Sequence, residues 1–415
     1  MAIRTLVLFF ASSNFMKILL VSFVSGDPDG GRRYIDQIFQ SLIQAGCDVY
    51  LFLLYDGSSV PELYRNSPRV KTKLYRHGGK LQWLMWENLI NASLYSELRQ
   101  YVQEIQPNAV HIHHYKALRT MLLATRGFSR VWTIHALEFI HPMYELAGLL
   151  GANQFSWHRK VWAYLIARKL NVMRLLIDYW VWNDVWLKRK FFKATICPSQ
   201  EIFSLATQYR FLSPQYVPHF TNFPEPIIVR YDDFFLFAGR CDYRKGVEYL
   251  VRGFGQAHKK NPELRLVIAG GGKNSVHVSS MIHADQLSDA VTLLPSLNVA
   301  ELNHYYRTCL AVVIPSIAGE AGPLVALEAM SFSKPIIASK VGGLVDLVQN
   351  GKNGLLVSPE DSDAIAKAMV RLWDDRQLAQ MLGTRGQQLL NTRWTKVNHV
   401  NSLTNIYRQV VAKSG

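Results

Sequence analysis

The sequence predicts an α/β protein built from two doubly wound, Rossmann-like domains that face each other across a cleft. Apolar runs of strand length alternate with helical patterns in two consecutive series, and a proline-rich stretch, Gln215–Pro226, separates them. The 415 residues exceed a single core and fit two domains of about 150–200 residues each. A hydrophobic content of 49% with 19% charged residues is that of well-buried domains and excludes a disordered chain.

The first series begins after an N-terminal extension. Leu6–Ala11 has the composition of a short signal h-region, but a clean strand follows Met16, and a Rossmann-like domain needs that strand first. Residues 1–15 are therefore interpreted as a dispensable extension and residues 16–222 as the N-terminal, acceptor-side domain. Its elements are predicted as strands at 17–25, 48–55, 109–113, 131–134 and 194–197, and helices at 34–45 and 88–105.

Two features of this domain follow its strands. Gly30 and Gly31 stand between the first strand and its helix, where glycine lets the backbone approach a ligand and aim N–H groups at an anion. An ordinary tight turn explains the pair equally well. His135 follows the strand at 131–134, and ligands of open parallel sheets bind beyond the carboxyl ends of strands, although a core histidine is an even alternative.

Histidine and cysteine patterns give no metal prediction. The cluster at His111, His113 and His114 splits across both faces of a strand, which favours a structural or ligand-facing role over zinc. The four cysteines are scattered without metal-ligand spacing, and a reducing, cytoplasmic setting fits them. No metal site is expected.

The segment 157–193 differs from the rest of the first domain. It holds five of the ten tryptophans with nine basic residues and two acids. Aromatic and basic side chains at helical spacing are typical of helices that lie in a membrane interface. The alternative is a helical pair packed on the core with a solvated basic edge.

The second series starts with an apolar strand at 234–238. The loop after it carries Arg240 and Lys245, a planar fork and a mobile point charge placed before a helix N-terminus, which suits a diphosphate. The predicted domain spans 223–390, and a C-terminal helix at 391–415 is expected to pack back towards the N-terminal domain. Its further elements are strands at 264–269, 291–294, 311–314, 335–339 and 354–357, and helices at 300–307, 361–373 and 377–390.

Two glutamates follow the strand at 311–314. Glu320 is predicted in the loop and Glu328 in the opening turns of the next helix, where both can face one cleft. Carboxylates are pure acceptors, so they can bind the hydroxyls of a sugar and a ribose. Loop solvation and helix capping explain such a pair more often when it stands alone.

The ordered motifs of the second domain resemble the retaining nucleotide-sugar glycosyltransferases of family four, which have the GT-B fold. The resemblance covers most of the chain and is carried by Gly239-Arg240 with Lys245-Gly246, Pro315-Ser316, Glu320 with Glu328, Gly342-Gly343 and Asn350-Gly351 through Pro359. The first domain is a looser match. Asp346 stands where the family has glutamate, and Ala136 follows His135 where the family often has Asp or Gly.

The resemblance implies a role for each matched residue. Arg240 and Lys245 would hold the leaving diphosphate in place of a metal, and Glu320 and Glu328 would bind the donor sugar and the ribose. Gly30 and Gly31 would close over the substrates, and His135 would lie near the transferred sugar. The donor site would also include the residues that follow Glu320, namely Ala321, Gly322, Pro323 and Leu324.

The implied activity is hexose transfer from a UDP- or GDP-linked sugar to a lipid-linked or polysaccharide acceptor, with no cofactor, at the cytoplasmic face of a membrane. A sugar-nucleotide epimerase of the same fold is the alternative enzyme, and it would turn over without an acceptor. The net charge of +15 also suggests a third interpretation, a nucleic-acid-binding protein. That alternative lacks any nucleic-acid-binding motif, so no nucleic-acid partner is expected.

Overall fold

The computed structural model describes residues 15–24, 30–55, 64, 67–74, 90–114, 117–135, 190–222 and 230–413. Most of the predicted extension at 1–15 lies outside these residues. The same holds for 157–189 of the aromatic–basic segment and for 223–229 of the predicted linker.

The first sheet has seven strands in the order β3-β2-β1-β4-β5-β6-β7. Its central strands are apolar on both faces, as a parallel sheet covered by helices requires. The strands are β1 (Lys17–Val24), β2 (Asp48–Tyr55), β3 (Val70–Leu74), β4 (Ala109–Ile112), β5 (Ser129–Thr133), β6 (Ala194–Cys197) and β7 (Pro214–Tyr216). The helices are α1 (Gly30–Gln44), α2 (Ala92–Ile105), α3 (Leu118–Ala124) and α4 (Gln200–Gln208).

The second sheet has six parallel strands in the order β10-β9-β8-β11-β12-β13. The strands are β8 (Phe234–Ala238), β9 (Arg265–Ala269), β10 (Val291–Leu294), β11 (Ala311–Ile314), β12 (Ile336–Ser339) and β13 (Gly354–Val357). The helices that follow are α5 (Val247–Lys260), α6 (Ser275–Ala284), α7 (Val299–Thr308), α8 (Leu324–Ser331), α9 (Leu344–Leu347), α10 (Ser362–Asp374), α11 (Arg376–Arg393) and α12 (Lys396–Ala412).

The strand order places a crevice in each sheet. In chain order both sheets run 3-2-1-4-5-6 through their first six strands, and the direction of winding reverses between the first and fourth of them. In the second sheet this switch point lies between β8 and β11. Doubly wound sheets bind ligands outside the carboxyl ends of strands at such a point. The loops after β8 and β11 are therefore where a site is expected.

Three of the differences from the sequence prediction have a local physical reason. Helix α1 begins at Gly30 rather than at residue 34, because the N–H groups of a first helical turn have no intrahelical partner and glycine costs little there. The predicted linker starts with strand β7, which pairs with β6 at the sheet edge, where proline is tolerated. Strand β3 was not predicted, since its lysines mask the apolar alternation of an edge strand.

The chain divides into two compact units. One contains the residues up to Trp132 together with 191–193 and 404–415, and the other contains 133–190 and 194–403. Within the first unit, the C-terminal residues pack on strands β4 and β5. The Tyr407 hydroxyl lies 2.6 Å from His111 Nδ1, and the Ser129 hydroxyl donates to the carbonyl of Val410 at 3.1 Å.

Among the residues that the structure describes, no helix combines the length and the apolar character that crossing a bilayer requires.

A buried lysine lies near the start of β12 in the second unit. Lys334 is 0% exposed, its Nζ donates to the carbonyl of Arg230, and the same atom lies 4.1 Å from the centre of the Tyr231 ring. Burial lowers the pKa of Lys334 to about 8, although the nearby Cys309 and Asp232 act in the opposite direction. The folded chain therefore releases this proton before the unfolded chain does.

The pKa of Lys334 predicts how stability changes with pH. Between pH 8 and 10.5 Lys334 holds a proton in the unfolded chain that it has released in the folded chain, so the contribution of Lys334 to the free energy of unfolding should rise with pH, by on the order of 3 kcal/mol. Lys334→Met should lack this rise. Denaturant unfolding of wild type and Lys334→Met across this pH range isolates the contribution of Lys334, because all other groups titrate in both proteins and cancel in the difference. Parallel curves would contradict it.

Candidate active site

The candidate site lies at the carboxyl ends of β8 and β11, within the second unit. The loop after β8 carries Arg240 and Lys245 and runs through a 3₁₀ turn, Tyr243–Lys245, into α5. The loop after β11 carries Glu320 and leads into α8. The Ile317 N–H donates to the carbonyl of Arg244 at 2.9 Å, so the two loops are joined at the switch point.

An ion pair connects these loops. Lys245 Nζ donates to Glu320 Oε1 at 2.7 Å, and the Ser316 hydroxyl donates to the same oxygen at 2.5 Å. The Lys245 and Glu320 side chains are 29% and 16% exposed, so the pair is shielded but open to a ligand. Two residues that are 75 positions apart in sequence thus form the polar centre of the crevice.

The environment of Glu320 keeps it ionised. Burial alone would raise the pKa of its carboxyl group. The charge and hydrogen bond of Lys245, with the hydrogen bond of Ser316 and the charge of Arg244, more than offset burial and lower the pKa below its usual value. At neutral pH the group is a carboxylate that can accept further hydrogen bonds.

Glycines allow the loops to approach this closely. Gly246 has φ +66°, and a Cβ there would lie 2.0 Å from the carbonyl oxygen of Pro315. Gly342 has φ +52°, and a Cβ there would lie 2.4 Å from the backbone nitrogen of Glu320. The Gly343 N–H donates to the carbonyl of Glu320 at 2.6 Å. The two glycine motifs therefore fix the backbone on either side of the ion pair.

Three adjacent central strands, β9, β8 and β11, are each followed by a helix whose first turn has no side-chain cap among the described residues. These are α5, α6 and α8, whose cap residues are Gly246, Asn274 and Pro323. The helices that follow the edge strands β10 and β13 are capped by Asn298 and Asp361. Uncapped N–H groups at a helix start suit an anionic ligand, and the positive end of the helix dipole adds to that attraction. The central crevice therefore favours negative charge.

Arg240 belongs to the same loop but not to the ion pair. Its side chain is 52% exposed, and Nη2 lies 3.5 Å from Asp242 Oδ2. A long, exposed guanidinium at the rim can reach a ligand without breaking a buried contact. Gly30 and Gly31, predicted to close over the substrates, form the first turn of α1 in the other unit.

Glu328 is the fifth residue of α8 and is 0% exposed. The Tyr306 hydroxyl donates to Glu328 Oε2 at 2.8 Å, and the Tyr306 ring stacks on Phe332 at 5.5 Å between ring centres. The structure thus places Glu328 one turn behind the donor loop, the term used below for residues 320–323. Contact with a ribose requires the groups covering this carboxylate to move.

Sequence reasoning singled out His135 but missed two histidines that lie near it beside the donor loop, His219 and His399. His135 is partly buried, and its ring centre lies 5.6 Å from that of His219, which lies 6.4 Å from that of His399. Burial lowers the pKa of both His135 and His399 to about 4, so their imidazoles are neutral at pH 7. His219 was hidden in the predicted linker. Its position three residues after β7, at the carboxyl edge of a sheet, is the signal that could have revealed it.

The approach of Gly342 to Glu320 predicts a specific defect. Gly342→Ala adds a methyl group 2.4 Å from the Glu320 backbone, so Glu320 must shift and turnover should fall about 10-fold or more. Gly351→Ala is the matched control, because φ there is +72° but no atom lies within 4 Å. It should lower the free energy of unfolding by about 1 kcal/mol and leave turnover unchanged. Equal effects of both changes on turnover would contradict the assignment of Glu320 to the site.

Two family models match the chain. "Glycosyltransferase Family 4" matches residues 28–218, and "Glycosyl transferases group 1" matches residues 221–389. Their boundary falls just after strand β7, and the second match contains Arg240, Lys245, Glu320 and Glu328.

Curated proteins show the same relationship at moderate identity. A D-inositol 3-phosphate glycosyltransferase of Pseudarthrobacter chlorophenolicus is 27% identical over 374 residues, which are 85% of this chain and 83% of that protein. An uncharacterised glycosyltransferase of Methanocaldococcus jannaschii is 30% identical over 195 residues, 47% of this chain. The match spans only 50% of the length of that archaeal relative.

Solved structures share the fold across nearly the whole chain. The sucrose-phosphate synthase of Thermosynechococcus elongatus has a TM-score of 0.74 and 22% identity, covering 96% of this chain and all of that one. Anabaena HepE in complex with UDP and glucose has a TM-score of 0.73 and 18% identity, covering 95% and all of the respective chains. The fold is that of the GT-B glycosyltransferases. Within that class the chain belongs to glycosyltransferase family four.

Proposed function

We propose that the chain transfers a hexose from a UDP- or GDP-linked sugar to a lipid-linked or polysaccharide acceptor, with retention of anomeric configuration. The carrying observation is the Lys245–Glu320 ion pair at the switch point, 2.7 Å between Nζ and Oε1, surrounded by uncapped helix starts. A nucleotide sugar needs both groups at once, a cation for its diphosphate and an acceptor for its hydroxyls.

Charge development during transfer explains the roles proposed for the basic residues. When the bond from the sugar to the diphosphate breaks, negative charge accumulates on the leaving phosphate. Lys245 and Arg240 would stabilise it together with the N–H groups at the start of α8. Preorganised cations act most strongly where charge develops in the transition state.

Glu320 is proposed to orient the donor sugar. Its carboxylate is fixed by Lys245 and Ser316 through one oxygen, Oε1, and a carboxylate offers acceptor positions on both oxygens. The acceptor hydroxyl would attack from the face that the diphosphate leaves and pass its proton to the departing phosphate oxygen, which preserves the configuration. Glu328 is proposed for the ribose, after its covering groups move.

No metal is proposed for this reaction, because the two cations supply the charge that a divalent ion would otherwise supply. Turnover in excess chelator should equal turnover in added Mg²⁺. The segment 157–193, through its tryptophans and basic residues, is proposed to hold the enzyme peripherally at the cytoplasmic face of a membrane, where a lipid-linked acceptor is presented.

A donor panel tests the function. UDP- and GDP-linked hexoses are first compared by thermal protection, since a ligand stabilises the fold by RT ln(1 + [L]/Kd), and nucleotide release is then measured with and without an acceptor lipid or glycan extract. Release that depends on the acceptor supports transfer. Anabaena HepE, whose fold this chain shares, was solved in complex with UDP and glucose, so UDP-glucose is the first donor to try. The proposal would be overturned if no donor in the panel gave either thermal protection or nucleotide release.

A further inference from the structure

The donor loop rests on the ring of His219. A Cβ built at Gly322 would lie 2.4 Å from His219 Cδ2, 2.9 Å from Nε2 and 3.1 Å from Cγ. The φ angle of Gly322 is outside the left-handed region, so its backbone could be adopted by other residues. Glycine is required at this position for space alone, and the imidazole occupies that space.

The contact has almost no room to adjust. His219 is 5% exposed, and the cavity that its ring and Gly322 help to line measures only about 10 Å³, roughly what a single water molecule needs. Pro218, Pro323 and Gly343 are among the residues that line it with His219 and Gly322. Because the packing is close, a displacement of the His219 ring should also displace the donor loop.

The ring of His219 lies close to two other imidazoles. Its centre lies 5.6 Å from that of His135 and 6.4 Å from that of His399 of α12, and His399 Nδ1 donates to the carbonyl of Pro218 at 2.7 Å. Burial lowers the pKa of His219 well below its usual value, and the neighbouring His135 and His399 lower it further. The ring is therefore neutral at pH 7 and presents no charge to the donor loop.

We propose that His219 is a positioning residue for glycosyl transfer: its ring sets the place of the donor loop through Gly322 and keeps that loop in register with His135. This inference rests on the proposed function, because it assumes that the donor loop binds the donor. It assigns a role to a residue from the segment that follows β7, in addition to the charged residues of the switch point.

A double-mutant cycle tests the contact. Gly322→Ala should raise the donor KM about 10-fold, because the new methyl group meets the ring and pushes the loop away. His219→Ala should lower kcat about 10-fold, because the loop loses its support. In the double variant the methyl group fits the space left by the ring, so the donor KM should return to within about 3-fold of that of His219→Ala.

Two controls separate positioning from stability. Gly271 lies in the loop after β9, and a Cβ built there meets nothing closer than 3.7 Å, so the kinetics of Gly271→Ala should equal those of wild type. Thermal unfolding is measured for every variant. Independent, multiplicative effects of Gly322→Ala and His219→Ala on KM would overturn the proposal, and so would a shift in Tm of His219→Ala with kcat and KM unchanged.

The same experiment distinguishes the two proposals. If wild type turns over a nucleotide sugar and the cycle shows no coupling, the role of His219 is wrong and the proposed function stands. If wild type neither binds nor turns over any donor in the panel, the proposed function is wrong, and the role of His219 is wrong with it.

Discussion

Lys245→Met is expected to lower kcat about 10³-fold while the protein stays folded. Methionine keeps the length of the stem and removes the charge, so the leaving diphosphate loses a cation placed for it in advance. Removing a single preorganised stabilising group of this kind costs about 10²–10³ in kcat. The upper end is expected here because Lys245 also holds Glu320, at 2.7 Å. Steady-state kinetics with the donor identified in the panel give the result.

The control for this change is Lys259→Met. Lys259 is an exposed lysine in the last turn of α5, the helix that Lys245 precedes. It should leave kcat and the donor KM unchanged. A loss confined to donor KM in Lys245→Met, with kcat intact, would mean that the charge contributes equally to ground-state and transition-state binding, and it would contradict the proposed role in departure of the diphosphate.

Glu320→Gln is expected to lower kcat about 10²-fold. Glutamine keeps the volume of the side chain but removes its charge and half of its acceptor capacity, so Lys245 loses its partner and the sugar loses an orienting oxygen. The free energy of unfolding should fall by roughly 1 kcal/mol at pH 7. The matched control is Glu301→Gln, since Glu301 closes the capping box of α7 and glutamine can replace it there. Unchanged turnover in Glu320→Gln would contradict the site.

The lowered pKa of Glu320 adds a pH signature. A carboxylate whose folded pKa lies below its unfolded value, 4.5, stabilises the fold above that value, and the contribution is lost as pH falls through the folded pKa. Wild type should therefore lose stability over this acidic window. Glu320→Gln should lose correspondingly less, and acid unfolding curves that are parallel for the two proteins would contradict the ionised pair.

The sequence predicted both Rossmann-like sheets because buried parallel strands are short apolar runs that stand out from their surroundings. Strand β11, Ala311–Ile314, is such a run and was placed at the observed residues. Strand β3, at the edge of the first sheet, was missed, since lysines alternate with its apolar residues. The start of α1 at Gly30 also gave no local signal, because glycine is a weak helix former and is common in turns.

The charged residues of the site could be found from motif order, but their contacts could not. The spacing of Lys245 and Glu320 says nothing about a hydrogen bond between loops that follow two different strands. The burial of Glu328 against Tyr306 depends on how α7 packs on α8, which periodicity does not specify. His219 was hidden for a similar reason, since its partner Gly322 is 103 residues further along the chain and only the fold brings them together.

The most direct test of the central claim is a crystal structure of the protein with a nucleoside diphosphate. The Lys245–Glu320 crevice predicts that the terminal phosphate lies within hydrogen-bonding distance of Lys245 Nζ, near Arg240 and the first N–H groups of α8. A diphosphate bound elsewhere on the chain, with Lys245 and Glu320 untouched, would contradict the assignment of this crevice as the donor site.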